Sequence, residues 1–127
     1  MQIKALDSVC IWSENPDKLA KWYQKILDLK VDKKLNLPDD TGVNFMIGKT
    51  FFFIGFHDKV KGKSKDPYRI MIGFSVKSVK KTYDELVTKG VRFIRPAERS
   101  SDPEDEYFVA TVVDPEGNII QFFSNKP

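Results

Sequence analysis

Apolar and polar positions along the chain change period several times, and each change marks an element. Residues 3–12 (IKALDSVCIW) are rich in apolar side chains and run into a Ser-Glu-Asn-Pro break, which predicts a strand and its end. Asn15 then stands as an N-cap, with Pro16 at the first helical position and Asp17 in the positive first turn. Leu19, Trp22, Tyr23, Ile26 and Leu27 follow at i, i+3, i+4, i+7 and i+8, one apolar stripe on a helix. Past Asp28, the alternation of Leu29, Val31 and Leu35 predicts a strand, and residues 37–42 (LPDDTG) a turn. Residues 43–47 and 50–56 predict two strands around a tight Gly48-Lys49 connection.

The second half repeats this order. Residues 68–76 (YRIMIGFSV) predict a strand, and Ser78 is again a helix cap. Val79, Tyr83, Leu86 and Val87 form the apolar stripe, and Gly90 suits the position just beyond the helix end. Val91 and Phe93 predict a short strand ending near Pro96, followed by a polar, acidic loop from Glu98 to Glu106. Residues 107–113 and 118–123 predict two strands joined by Asp114-Pro115-Glu116-Gly117, a sequence suited to a type I turn closing a bulged hairpin.

The halves align at an offset of 63 residues: Ser8 to Trp12 falls on Met71 to Ser75, and the caps Asn15 and Ser78 keep that offset. The strands after the helices align with a one-residue slip, Leu29 on Val91 and Val31 on Phe93. A repeated unit of this kind exposes an apolar sheet face that a second copy can cover. The expected organisation is one domain spanning 1–127, with a first module of about 1–62 and a second of about 63–127.

Composition narrows the class. Hydrophobic residues make up 41% of the 127, including ten Phe, enough for a core without disulfides, and the single cysteine, Cys10, permits no internal one. Mid-strand among apolar neighbours, Cys10 reads as an inert buried thiol rather than a nucleophile. The net charge of +3 comes from interleaved acids and bases. The basic run from Lys59 to Lys65 reads as a solvated loop between the halves, so no nucleic-acid partner is expected. The N-terminal residues lack a leader-like apolar stretch and no segment approaches the length of a membrane span, so the expectation is a cytoplasmic protein without a membrane partner. There is no phosphate-cradling Gly-rich loop and no Gly-x-Ser-x-Gly elbow.

Three segments carry a family resemblance: residues 6–27 (LDSVCIWSENPDKLAKWYQKIL), 72–86 (IGFSVKSVKKTYDEL) and 113–122 (VDPEGNIIQF). Together they resemble the vicinal oxygen chelate superfamily, also called the glyoxalase, bleomycin resistance and extradiol dioxygenase superfamily. The resemblance implies an α+β fold of two tandem βαβββ modules, forming a curved, partly closed mixed-sheet cup with helices outside. It also implies a homodimer and a small-molecule ligand inside the cup.

In the metal enzymes of that superfamily, His or Glu ligands come from the first and last strands of each module. Position by position, this chain has Ser8, then Phe52 or Phe53, then Met71 and Gln121. A hydroxyl, a phenyl ring, a thioether and a neutral amide are poor partners for a hard divalent ion. No metal and no cofactor are therefore expected, and a metal-dependent lyase, isomerase or dioxygenase is disfavoured. The one histidine, His57, precedes Asp58, and adjacent side chains there are expected to point apart. Strand alternation groups Ser8, Cys10 and Trp12 on one face, Met71 and Ser75 on the matching face, and Gln121 and Phe123 beside them. With Phe53, these residues are the expected ligand contacts in an aromatic and apolar cup. Three readings stay open: a metal-free binding protein, an enzyme with atypical ligands such as His57, and a partner-binding module whose cup is filled. Glu98, Glu104 and Glu106 are candidates for acid–base work if the acidic loop folds over the cup.

Overall fold

The computed structural model describes all residues from Met1 to Pro127. The chain is α+β, with two helices and eight strands in two open four-stranded mixed sheets, and it forms two compact units, Met1–Gly62 and Lys63–Pro127.

The first unit contains β1 (Ser8–Ser13), α1 (Pro16–Ile26), β2 (Val31–Leu37), β3 (Asp40–Ile47) and β4 (Thr50–Phe56), with sheet order β1-β4-β3-β2. β1 runs parallel to β4, and the remaining neighbours are antiparallel. The β1 strand begins later than its apolar sequence suggests: residues 1–7 are exposed, and of them the Asp7 and Leu6 carbonyls reach β4, accepting the Phe51 N–H at 2.9 Å and the Thr50 hydroxyl at 3.3 Å. Asn15 caps α1 by accepting the Lys18 N–H at 3.3 Å, and Ser13 Oγ accepts the Asn15 N–H at 2.9 Å. The apolar stripe of α1 then buries Leu19, Ala20 and Tyr23 against the sheet. Tyr23 meets Phe52 edge-on at 5.1 Å, while Val43, Phe45 and Ile54 complete a core with almost no exposed surface. Burial of each such large side chain contributes about 1.5–3 kcal/mol.

The second unit repeats the plan with β5 (Met71–Ser75), α2 (Val79–Thr88), β6 (Phe93–Arg99), β7 (Phe108–Val113) and β8 (Ile119–Ser124), in sheet order β5-β8-β7-β6. The stretch read as the start of the first strand is partly a 3-10 turn, Pro67–Arg69, in which Arg69 pairs with Asp66 at 2.9 Å. Ser78 caps α2 through the Lys81 N–H at 3.1 Å. Tyr83 packs on Phe93 at 4.6 Å, and Val79, Leu86, Val112, Ile120 and Phe122 fill the space beneath the helix. The acidic segment is shorter than its composition suggests. β6 continues to Arg99, because Glu98 and Arg99 pair with Val109 and Phe108 of β7 and Glu98 is held by Arg95.

The one-residue slip between the halves originates at the helix ends. α1 has 11 residues and α2 has 10. At the end of α2 the Gly90 N–H bonds the Val87 carbonyl at 3.0 Å and the Val91 N–H bonds the Leu86 carbonyl at 3.1 Å, with Gly90 at φ 76. That is the Schellman closure, for which glycine has no Cβ penalty. After α1 the same left-handed position is Asp28, at φ 57, and the returning bond spans one residue more, from the Leu29 N–H to the Tyr23 carbonyl at 3.2 Å. A short polar side chain is among the few that tolerate this conformation.

Candidate ligand-binding site

Each sheet buries one face beneath its helix and presents the other. In the first unit Val9 and Ile11 pair with Phe52 and Ile54 on the helix side, so alternation places Ser8, Cys10, Trp12 and Phe53 on the opposite face. Trp12 meets Phe53 edge-on at 5.9 Å and His57 at 5.4 Å, gathering three rings at one end of that face. Ser8 and Cys10 lie on β1, at the edge of the sheet, and both are exposed. The reading of Cys10 as a buried thiol is therefore corrected: its neighbours Val9 and Ile11 face the helix, while Cys10 itself points away from the core and remains exposed.

Strand register settles which phenylalanine corresponds to Gln121. Cys10 pairs with Phe53, and Gly73, which lies 63 residues after Cys10, pairs with Gln121. Phe53 and Gln121 are thus equivalent, and Phe52 belongs to the core. Each has a buried polar residue opposite it on the next strand: Asn44 faces Phe53 and Thr111 faces Gln121. Asn44 Nδ2 donates to Asp32 at 3.2 Å, and Gln121 Nε2 donates to Thr111 Oγ1 at 3.5 Å. Sequence alternation did not single out Asn44 or Thr111, because both neighbours of each are also buried.

The glycines of this face make room for rings. A Cβ on Gly42 would lie 2.3 Å from the Ile54 carbonyl oxygen and 2.8 Å from the Phe53 ring, and one on Gly55 would lie 2.3 Å from the Phe53 ring and 2.8 Å from Trp12. Phe53 therefore lies across Gly42 and Gly55. Gly42→Ala is expected to cost about 1–3 kcal/mol in urea denaturation, because its closest contact is backbone that cannot turn aside. A loss within error of zero would mean that the sheet opens at this point.

In the second unit, Met71 and Ser75 share the face away from α2 with Gln121 and Phe123. The Phe123 ring covers Gly73, 2.9 Å from where a Cβ would stand, and contacts Tyr107 at 5.9 Å. At the carboxyl ends of β5 and β8 this face opens into a cleft of about 460 Å³, lined by Ser75, Lys77, Asp105, Tyr107, Phe123 and Lys126 among others. Of the expected contacts, the cleft brings together Ser75 and Phe123 and leaves out Met71 and Gln121. Tyr107, Lys77, Asp105 and Lys126 went unmarked in the sequence because loops and strand ends carry no period. Asp105 comes from the acidic loop. The loop's Glu106 instead pairs with Arg99 at 3.1 Å, and Glu98 with Arg95.

A resident metal ion is a poor match for these residues. The first unit offers Ser8 and Phe53 and the second Met71 and Gln121, and no three His, Cys, Asp or Glu side chains cluster closely enough to hold an ion. His57 and Asp58 do not point apart as expected, since the chain has left β4 and turns here. His57 Nδ1 lies 3.3 Å from Asp58 Oδ1 and accepts the Lys59 N–H at 3.2 Å. The pair lacks a third ligand.

A family model described as Glyoxalase/Bleomycin resistance protein/Dioxygenase superfamily matches residues 5–122. Among solved structures, a Bacillus anthracis protein described as a candidate glyoxalase family member superposes with a TM-score of 0.77 at 21% identity, covering 99% of this chain and 98% of its own. A glyoxalase family protein from Enterococcus faecalis gives 0.76 at 17% identity, covering 98% and 100%. A glyoxalase/bleomycin resistance protein/dioxygenase from Alicyclobacillus acidocaldarius gives 0.69 at 17% identity, covering 94% and 90%. No curated protein matches the chain in sequence.

Proposed function

Because the chain belongs to the Glyoxalase/Bleomycin resistance protein/Dioxygenase superfamily, we propose that it is a member that binds a small aromatic or amphipathic molecule without a bound metal. The observation that carries this reading is the chemistry of the four equivalent positions, Ser8, Phe53, Met71 and Gln121, which offer no carboxylate or imidazole. The cleft beside Tyr107 and Phe123 supplies the binding half of the reading. Its volume lies in the usual range for small-molecule sites, and Tyr107, Phe123 and Val76 supply the apolar part of a lining that otherwise carries Ser, Lys, Asp and Asn residues. The proposal includes a cytoplasmic homodimer, as the common assembly of such proteins.

Two measurements test it. Elemental analysis of purified protein is expected to find transition metals well below one per chain, and the melting temperature is expected to be unchanged by a chelator. A stoichiometric ion that survives dialysis overturns the metal-free reading and returns His57 and Asp58 to consideration. Thermal-shift screening with aromatic compounds is expected to raise the melting temperature, since a ligand at 100 times its Kd adds about 2.7 kcal/mol. A second reading, a partner-binding module with a filled face, is favoured by one observation: the Phe53 and Phe123 rings already lie across Gly42, Gly55 and Gly73. Screening in which no compound raises the melting temperature would select that reading.

A further inference from the structure

The cleft of the second unit has an uneven charge at its rim. From this we infer that its ligand is an aromatic compound carrying a negative charge, with the ring against Tyr107 and Phe123 and the anion met by Lys77 and Lys126. The inference rests on the small-molecule reading above and adds the sign of the ligand's charge.

The aromatic wall is held in place before any ligand arrives. Phe123 is confined by its close approach to Gly73 and by the Tyr107 ring. The segment carrying Lys126 is tied down as well: Ser124 Oγ donates to the Lys126 carbonyl and accepts the Val79 N–H at 3.0 Å. Ser100 Oγ donates to the Asp105 carbonyl at 3.0 Å, which holds the acidic segment where Asp105 lines the cleft.

The charges do not cancel. Lys77 and Lys126 line the cleft with a single acid, Asp105, and neither lysine has a carboxylate within 4.0 Å. Other lysines of this unit are engaged, Lys80 by Asp84 at 2.9 Å and Lys89 by Glu85 at 3.2 Å. Two exposed, unpaired ammonium groups beside an apolar wall favour an anion attached to a ring, because the apolar part supplies burial and the charge selects among otherwise similar rings. Ser75 adds a hydroxyl to the same lining.

The test is calorimetric titration of the full chain with 2-naphthoate, its neutral isostere 2-naphthamide, and the cationic 2-naphthylmethylamine. The carboxylate is expected to bind about five-fold more tightly than the amide at low salt, the scale of one or two exposed ion pairs. High salt should shrink that preference. K77Q/K126Q is expected to abolish it, bringing carboxylate and amide to the same affinity, and Asp105→Asn to enlarge it. Equal binding of carboxylate and amide, with both weakened by Tyr107→Ala, overturns the charge assignment and leaves the small-molecule reading standing. Tighter binding of the amine overturns it in favour of Asp105 as the selecting group. Failure of all three compounds to bind overturns the inference together with the reading beneath it.

Discussion

Phe52→Ala is expected to lower the stability of this protein by about 3–5 kcal/mol, the cost of emptying a well-packed aromatic site. For a chain of this length that corresponds to a fall in melting temperature of about 10–20 °C. Phe52 is 2% exposed, meets Tyr23 edge-on at 5.1 Å and lies 6.2 Å from Phe45. Its register partners Val9 and Phe45 sit on strands either side, so neighbours on three sides would have to move to refill the space. The neighbouring Phe51 provides the internal control. It is 37% exposed on the other face, and Phe51→Ala is expected to cost about 1 kcal/mol. Calorimetric melting of both variants decides: equal losses would mean that the alternation of β4 is not as described.

Asp114→Ala is expected to cost about 3 kcal/mol, through loss of hydrogen bonds to a charged acceptor and exposure of unmet donors. Asp114 is only 4% exposed, and its Oδ1 accepts the Glu116 N–H at 2.8 Å and the Asn118 N–H at 2.9 Å, while Oδ2 accepts a hydrogen bond from Asn118 Nδ2 at 2.8 Å. The turn closes with the Gly117 N–H on the Asp114 carbonyl at 3.1 Å, and Glu116 in turn receives the Ser64 N–H on its own carbonyl at 2.8 Å. One carboxylate therefore organises the connection from β7 to β8 and the segment leading into the second unit. Urea denaturation of Asp114→Ala and Asp114→Asn should give a graded loss, the amide retaining one acceptor. A loss below about 1 kcal/mol would show that the turn is held by its backbone alone.

The same hairpin shows why part of this molecule is legible in its sequence alone. Asp-Pro-Glu-Gly-Asn encodes its own turn, since every bond that closes it joins residues within four positions of one another. The caps Asn15 and Ser78, the helix stripes that bury Leu19, Tyr23 and Leu86, and the glycine beyond α2 are local in the same sense. So is the repetition of the unit, which needs only the chain compared with itself. Family and α+β class followed from those local signals in order along the sequence. Apolar neighbours suggest a buried Cys10, yet alternation along β1 turns its own side away from α1. At Glu98 a longer-range contact decides: its charge suggests a loop, yet it is paired in the ladder with Val109 and held by Arg95.

By itself the sequence determined the elements, their order and the repeat, because each depends on residue identity or on neighbours a few places away. The tertiary structure alone decided that Phe53 rather than Phe52 matches Gln121, since that rests on how β1 lies against β4, some forty residues later. It also decided the cleft, assembled from Ser75, Asp105, Tyr107, Phe123 and Lys126. Those residues share no period and no motif. They meet because parallel pairing of β5 with β8 brings two distant carboxyl ends together, and pairing of that kind is encoded in the packing of whole strands rather than in any short stretch of chain.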